Sequence, residues 1–144
     1  MKIYIGSDHA GYDLKEEIVK YLSNEYEVIN CGPFNKDSVD YPDYAVKVCS
    51  EIKEDVVGIL VCYTGIGMSM AANKFKGVRA ALVGIPEDAV LTREHNNANV
   101  LCLSAKNTSV DVALEIVDKF LNTDFTYGRH ERRVNKIIDL DVSR

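Results

Sequence analysis

The sequence predicts an α/β fold: five parallel strands in one sheet, covered by helices on both faces. Two patterns carry that reading. Short runs of aliphatic and β-branched residues recur five times, and each is followed by a stretch with apolar residues at helical spacing. The central run, Val56–Cys62 (VVGILVC), is apolar throughout except for one glycine, as expected of a strand buried on both faces. Right-handed crossovers restrict the topology further.

Taken in order, Lys2–Gly6 is the first strand, and Ser7-Asp8-His9-Ala10-Gly11 is the loop after it. Leu14, Ile18, Val19 and Leu22 give a helix with Lys15, Glu16, Glu17 and Lys20 on its outer side. Glu27–Cys31 is the second strand, followed by a loop of turn-formers over Gly32–Pro42 and a helix through Tyr44, Val48 and Ile52. Val56–Cys62 breaks at Thr64-Gly65-Ile66-Gly67 into a helix from Met68 to Phe75. Val78–Gly84 is the fourth strand, and Pro86 suits the first turn of the next helix. Asn99–Ser104 and Val110–Leu121 form the last strand and helix, the helix facing the core with Val112, Ala113, Ile116, Val117 and Phe120. A tail from Asp124 to Arg144 remains. In it Arg129 and Arg133 share a helix face, and Val134, Ile137 and Ile138 form a separate apolar stripe. That stripe must bury itself on its own domain or on a partner subunit.

The stretch from Val56 to Lys74 carries the chemistry. A strand that runs through a glycine turn into a helix points backbone N–H groups at whatever lies above it, and these favour negative charge. Cys62 ends that strand, and a thiolate is favoured at a helix N-terminus. A buried cysteine on its own is a small hydrophobe. The turn is also not a dinucleotide fingerprint, because Met70 stands where the third glycine belongs. In parallel sheets ligands sit at the carboxyl ends of the strands, where strand order reverses. If the first and third strands are neighbours, Asp8-His9 and Cys62–Gly67 face each other across one crevice.

The net charge of −5 argues against a general nucleic-acid or membrane-surface binder, and no apolar run reaches the length of a bilayer span. The apolar N-terminal segment is too short for the core of a signal peptide, so the cytoplasm is expected. Cysteines 31, 49, 62 and 102 form no C-x-x-C pair and no metal-ligand spacing, which fits a reducing compartment. The length fits one domain over residues 1–144.

Five motifs in one order bring a family into view: G-S-D-H-A-G-Y (6–12), D-Y-P-D-Y (40–44), C-x-T-G-x-G with A-A-N-K (62–74), R-E-H-N (93–96) and G-R-H-E-R-R (128–133). Together they resemble ribose-5-phosphate isomerase B and its relatives, the galactose-6-phosphate and allose-6-phosphate isomerases. The resemblance implies a cofactor-free aldose–ketose isomerase of sugar phosphates on a Rossmann-like α/β/α sandwich. It also implies a homodimer, or a tetramer built from such dimers, with active sites shared across the interface and the tail from about residue 124 docking on the partner. Carried over by position, Cys62 is the base that moves a proton between C1 and C2. The turn Thr64-Gly65-Ile66-Gly67 stabilises the enediolate oxygen. Asp8 and His95 open the sugar ring, Tyr41 and Asn96 hold hydroxyls, and His9, Arg129 and Arg133 bind phosphate.

Three positions depart from the family pattern. Tyr63 replaces a usual glycine, Lys106 stands where many members carry a phosphate-contacting arginine, and Ser109 where glycine is common. Lysine keeps the charge but loses the bidentate fork. The leading expectation is interconversion of ribose 5-phosphate and ribulose 5-phosphate, with a hexose-6-phosphate isomerase as the alternative. The G-R-H-x-x-R tail, which galactose-6-phosphate isomerase subunits tend to lack, favours the pentose. From a different class, the fold suits a flavodoxin-like nucleotide-binding or signalling module.

Overall fold

A computed structural model describes residues 1–143. Strands β1 (Lys2–Ser7), β2 (Glu27–Asn30), β3 (Val56–Cys62), β4 (Ala80–Leu82) and β5 (Val100–Ser104) form one all-parallel sheet in the order β2-β1-β3-β5-β4. Between and after them run helices α1 (Tyr12–Leu22), α2 (Tyr41–Cys49), α3 (Ile66–Ala72), α4 (Pro86–Asn96), α5 (Val110–Leu121) and α6 (Arg129–Asp139), with a 3₁₀ turn at Leu140–Ser143.

Strand periodicity sorts the core into two layers. Ile3, Ile5, Val57, Ile59, Val61, Leu101 and Leu103 pack with α1, α4 and α5 on one face. Leu60, Cys62, Val100 and Cys102 pack with α2 and α3 on the other. The result is a three-layer α/β/α sandwich. Gly58 in β3 lets α2 come close, since a Cβ there would lie 2.7 Å from a Val48 methyl. Ser109 caps α5, its hydroxyl accepting from the Val112 N–H at 3.3 Å, a contact worth about 1 kcal/mol. This is the local use of one of the three unusual residues.

Several boundaries differ from expectation. The second helix stops at Cys49 instead of running through Ile52, and the third occupies Ile66–Ala72, not Met68–Phe75. β4 is three residues long because side-chain amides stand in for a ladder: Asn73 pairs with both the N–H and the C=O of Ala80, and Asn99 bridges Arg79 and Gly77. Such pairing also covers part of an exposed sheet edge. Lys15, placed by its helical spacing on the outer side of α1, is instead fully buried. Its stem crosses to the exit of β2, where Glu16, Asn30 and the Pro33 carbonyl accept its three protons. Full hydrogen bonding is what makes a buried ammonium tolerable.

The tail forms a helix whose stripe is only partly covered. Val134 is buried, while Ile137 and Ile138 stay 46% and 39% exposed. Among the described residues no helix is long and apolar enough to cross a membrane.

The order of strands makes β1 and β3 neighbours, and their outgoing loops are locked together. Asp8 N–H donates to the Val61 carbonyl at 3.1 Å. Gly11 packs so closely that a Cβ would sit 2.5 Å from the Val61 oxygen, a backbone atom that cannot step aside. Gly11→Ala is therefore expected to cost about 1–3 kcal/mol in urea unfolding, by overpacking. A midpoint equal to that of the parent would show that the loop yields freely.

Candidate active site

The end of β3 forms the floor. Cys62 is 4% exposed, and the Gly65 N–H donates to its Sγ at 3.2 Å. Gly65 reaches that position at φ +79°, and a Cβ would lie 2.5 Å from a Leu82 methyl and 3.0 Å from the Leu103 backbone. The Ile66 N–H turns to Thr64 Oγ1 at 3.3 Å. With the Gly65 and Ile66 amides so engaged, the N–H groups of Gly67 and Met68 are the next donors in the first turn of α3. Tyr41 lies against Gly67, where a Cβ would meet its ring at 2.5 Å, so glycine is what lets the phenol approach the turn.

The wall is the loop after β1. Ser7 pairs with Val61, which brings Asp8 level with Cys62. The Asp8 side chain is buried, and its Oδ1 accepts from the Gly11 N–H at 2.9 Å. His9 is exposed, and its Nδ1 accepts from the Val39 N–H at 3.2 Å. Lys106, just past β5, completes this end, with its ammonium 5.7 Å from the Tyr63 ring centroid and its N–H on the Tyr63 carbonyl at 2.8 Å. Asp8, His9, Tyr41, Cys62, Thr64, Gly65, Gly67 and Lys106 thus gather at the carboxyl ends of the strands.

The other cysteines are different. Burial pushes the Cys49 thiol up to about 12, and Cys102 higher, with Cys49 and Cys62 adding to the latter shift. Burial, and then the Glu51 charge, also raise Cys31. Only Cys62 ends a strand beside a glycine turn. The arrangement supplies a sulfur and an acid near amide donors, suited to moving a proton next to a carbonyl. Among the described residues no group of three or more His, Cys, Asp or Glu could hold a metal ion.

His95, Asn96, Arg129 and Arg133 are elsewhere. Helix α4 returns from the end of β4 to the start of β5, so His95 and Asn96 lie at the amino ends of the strands. Cys62 pairs with Ser104 and Gly58 with Val100, so about 13 Å of strand separates Cys62 from that level alone. Asn97, at φ +48°, ends α4 there, and Arg93 clamps the turn by donating to Asn97 Oδ1 and the carbonyls of Ala98 and Thr123. Thr126 ties the tail to Glu94, and His95 stacks on His130 at 4.2 Å between centroids, 15° from parallel. Arg129 and Arg133 are exposed, with no ion pair among the described residues. Sequence reasoning gave His130 no role, although it lies between the two arginines in G-R-H-E-R-R. Its signal was its place on the same helix as that pair.

Desolvation first, then the neighbouring His95, Arg129 and Arg133, hold His130 below its ordinary value. The folded pKa is lowered, so the neutral stack favours folding at neutral pH and is lost as pH falls from the unfolded value through the folded one. In an NMR titration His130 should stay neutral to lower pH than a free imidazole, and His95→Ala should move its midpoint upward. Unchanged midpoints in that variant would mean that the stack does not couple the two rings.

Comparison with known proteins identifies the relatives of this chain. Residues 3–137 match the family described as ribose/galactose isomerase. The probable ribose-5-phosphate isomerase B of Mycoplasma genitalium is 47% identical over 141 residues, covering 94% of this chain and 93% of that one. Ribose-5-phosphate isomerase B of Escherichia coli is 41% identical over 146 residues, with 99% and 98% covered. The structure of the Clostridium thermocellum ribose-5-phosphate isomerase B superposes with a TM-score of 0.96 at 47% identity over 99% of both chains. That of the Mycoplasma genitalium enzyme with bound ribulose 5-phosphate gives 0.96 at 44%, over 99% of this chain and 97% of that one. With a family model matching residues 3–137 and relatives more than 40% identical along nearly the whole chain, the chain belongs to the ribose/galactose isomerase family.

Proposed function

We propose that this protein interconverts ribose 5-phosphate and ribulose 5-phosphate in the cytoplasm, as a homodimer with two shared active sites. The observation that carries the reading is Cys62, held beneath the Gly65 amide and level with Asp8 at the strand ends. Names of relatives along nearly the whole chain, one of them solved with ribulose 5-phosphate, support the substrate. Four free cysteines suit a reducing compartment.

In the mechanism, Asp8 and a His95 contributed by the second copy open the sugar ring. The Cys62 thiolate takes the proton from C2 of the open aldose while the C1 carbonyl becomes an enediolate oxygen. The turn Thr64-Gly65-Ile66-Gly67 stabilises that oxygen. The Cys62 thiol then returns the proton to C1, a proton moves between the two oxygens, and the ketose results. No electrons leave the substrate, so no redox partner is required. Tyr41 and the partner-borne Asn96 hold hydroxyls. His9 and Lys106, with the Arg129 and Arg133 of the other copy, hold the phosphate. Binding energy at the phosphate, remote from the reacting carbons, positions them for proton transfer.

Direction supports the sharing. Asp8 and His95 lie toward opposite ends of one sheet, and Arg129 and Arg133 sit on the helix that stacks against His95. Two copies related by a two-fold axis, with their sheets running in opposite directions, would bring the end of each sheet to the α4–α6 corner of the other. The exposed Ile66 and Met70 on α3, and the exposed Ile137 and Ile138 on α6, give that contact an apolar component.

Two experiments test these readings. In an assay of ribose 5-phosphate conversion, Cys62→Ala should lower kcat at least about 100-fold with little change in KM. His95→Ala alone should also be impaired. Mixed, the two variants should regain activity, because one site of each hybrid then has an intact Cys62 and an intact His95. Near-full activity of Cys62→Ala would remove its role as base, and confirmed hybrids without recovered activity would remove the sharing. Second, Tyr63 places a half-exposed ring beside Lys106. Tyr63→Gly should raise kcat/KM for allose 6-phosphate relative to ribose 5-phosphate by about 10–200-fold. A constant ratio would mean that the ring does not select the sugar.

A further inference from the structure

Lys15 has no exposed surface, and the proposed chemistry gives it no part. An ammonium taken out of water is strongly unfavourable unless each proton finds an acceptor. Here three acceptors are in place: Glu16 Oε2 at 2.8 Å, Asn30 Oδ1 at 3.0 Å and the Pro33 carbonyl at 2.9 Å. The rings of Tyr12 and Phe34 lie 5.0 and 5.8 Å from the charge. Asn30 closes the ring of contacts, donating to Glu16 Oε2 at 2.9 Å and accepting from the Gly32 N–H at 3.0 Å. The first turn of α1 is thereby fastened to the exit from β2.

The segment so anchored, residues 32–41, meets the loop after β1 and the turn after β3. Its Gly32 carbonyl accepts from the Ser7 N–H at 3.1 Å, one residue before Asp8. Its Val39 N–H donates to His9 Nδ1 at 3.2 Å. At its end, Tyr41 is delivered against Gly67. A nitrogen that accepts a hydrogen bond carries no proton, so neutral His9 has its proton on Nε2. That is a donor suited to a phosphate oxygen.

We infer that Lys15 is a positioning residue of the substrate site: its buried ammonium anchors the 32–41 segment, whose Val39 amide holds His9 in the Nε2–H form that donates to the sugar phosphate. The inference rests on the isomerase reading and on His9 as a phosphate ligand. A lysine that served the fold alone would change stability and leave His9 as it was.

The test uses Lys15→Met, alone and in a His9→Gln background, with imidazole ¹⁵N shifts and steady-state kinetics on ribose 5-phosphate. In Lys15→Met the two His9 nitrogen shifts should converge as the tautomers mix. KM should rise about tenfold with kcat within about threefold, the pattern of lost uniform binding. In the His9→Gln background the same change should alter KM by less than about twofold, because the two residues act through one contact. Unmoved His9 shifts, or an equal KM increase without His9, would overturn the inference. Should Lys15→Met not fold, Asn30→Ala opens the same ring of contacts from the other side. It must shift His9 in the same direction, and unmoved shifts there would equally overturn the proposal. A parent protein without isomerase activity would instead defeat the isomerase reading, while the His9 shifts would still decide whether Lys15 sets the tautomer.

Discussion

The close approach of Gly11 to the Val61 carbonyl is the constraint on which the site depends. It exists because strand order reverses between β1 and β3, so the loops leaving those strands diverge around one crevice. Without a side chain at Gly11, the first loop drops onto the end of β3 and the Asp8 N–H reaches Val61. Asp8 is then level with Cys62 through the Ser7–Val61 register. The Gly11 N–H also donates to Asp8 Oδ1, which fixes the buried carboxyl within that loop. One missing methyl group thus brings an acid and a sulfur together from two distant parts of the chain.

Parallel sheets impose a second constraint. Each helix runs back against its strands, so residues at a helix's carboxyl end lie at the amino ends of the strands. His95 and Asn96 end α4, and Cys62 ends β3, so their polarity keeps them apart within one chain. This is the physical reason the proposed site needs two copies. The tail fits that geometry. It is tied to the end of α4 by Thr126 and by the His95–His130 stack, and it buries only Val134 of its apolar stripe. A helix that leaves Ile137 and Ile138 exposed, and that carries two exposed arginines without an ion pair among the described residues, has a surface suited to another copy of the chain.

Much of this was legible in the sequence, and the reasons are specific. Val56–Cys62 could be read because a strand buried on both faces has no polar alternation to hide it. Val110–Leu121 could be read to the residue because its apolar face is broad. Cys62 and the glycine turn stood out because strand, turn and helix are contiguous. Lys15 was misplaced because helical periodicity reports which face is apolar, and a lysine whose protons are all accepted breaks that rule without a local sign. The extent of β4 was obscured for a similar reason: Asn73 and Asn99 replace backbone ladder bonds across gaps of 7 and 22 residues. The separation of His95 from Asp8 was also invisible to motif order, since it depends on which end of the sheet each helix reaches.

The unusual residues near the site are themselves in contact, and this changes how they should be read. A tyrosine following Cys62 looks like an obstruction if taken alone, and a lysine in place of an arginine looks like a loss. The Lys106 ammonium lies 5.7 Å from the Tyr63 ring centroid, and the Lys106 N–H holds the Tyr63 carbonyl at 2.8 Å. Lysine is a flexible point charge that reaches an anion only when its stem is held, whereas arginine brings a planar fork of its own. An aromatic face beside the ammonium restrains it by a cation–π contact worth about 0.5–1 kcal/mol at an exposed site. That restraint recovers some of the order the guanidinium would have supplied, and it ties the position of the tyrosine ring to that of the ammonium. Ring and charge therefore form one unit at the edge of the site, so that a change at either position is felt at the other.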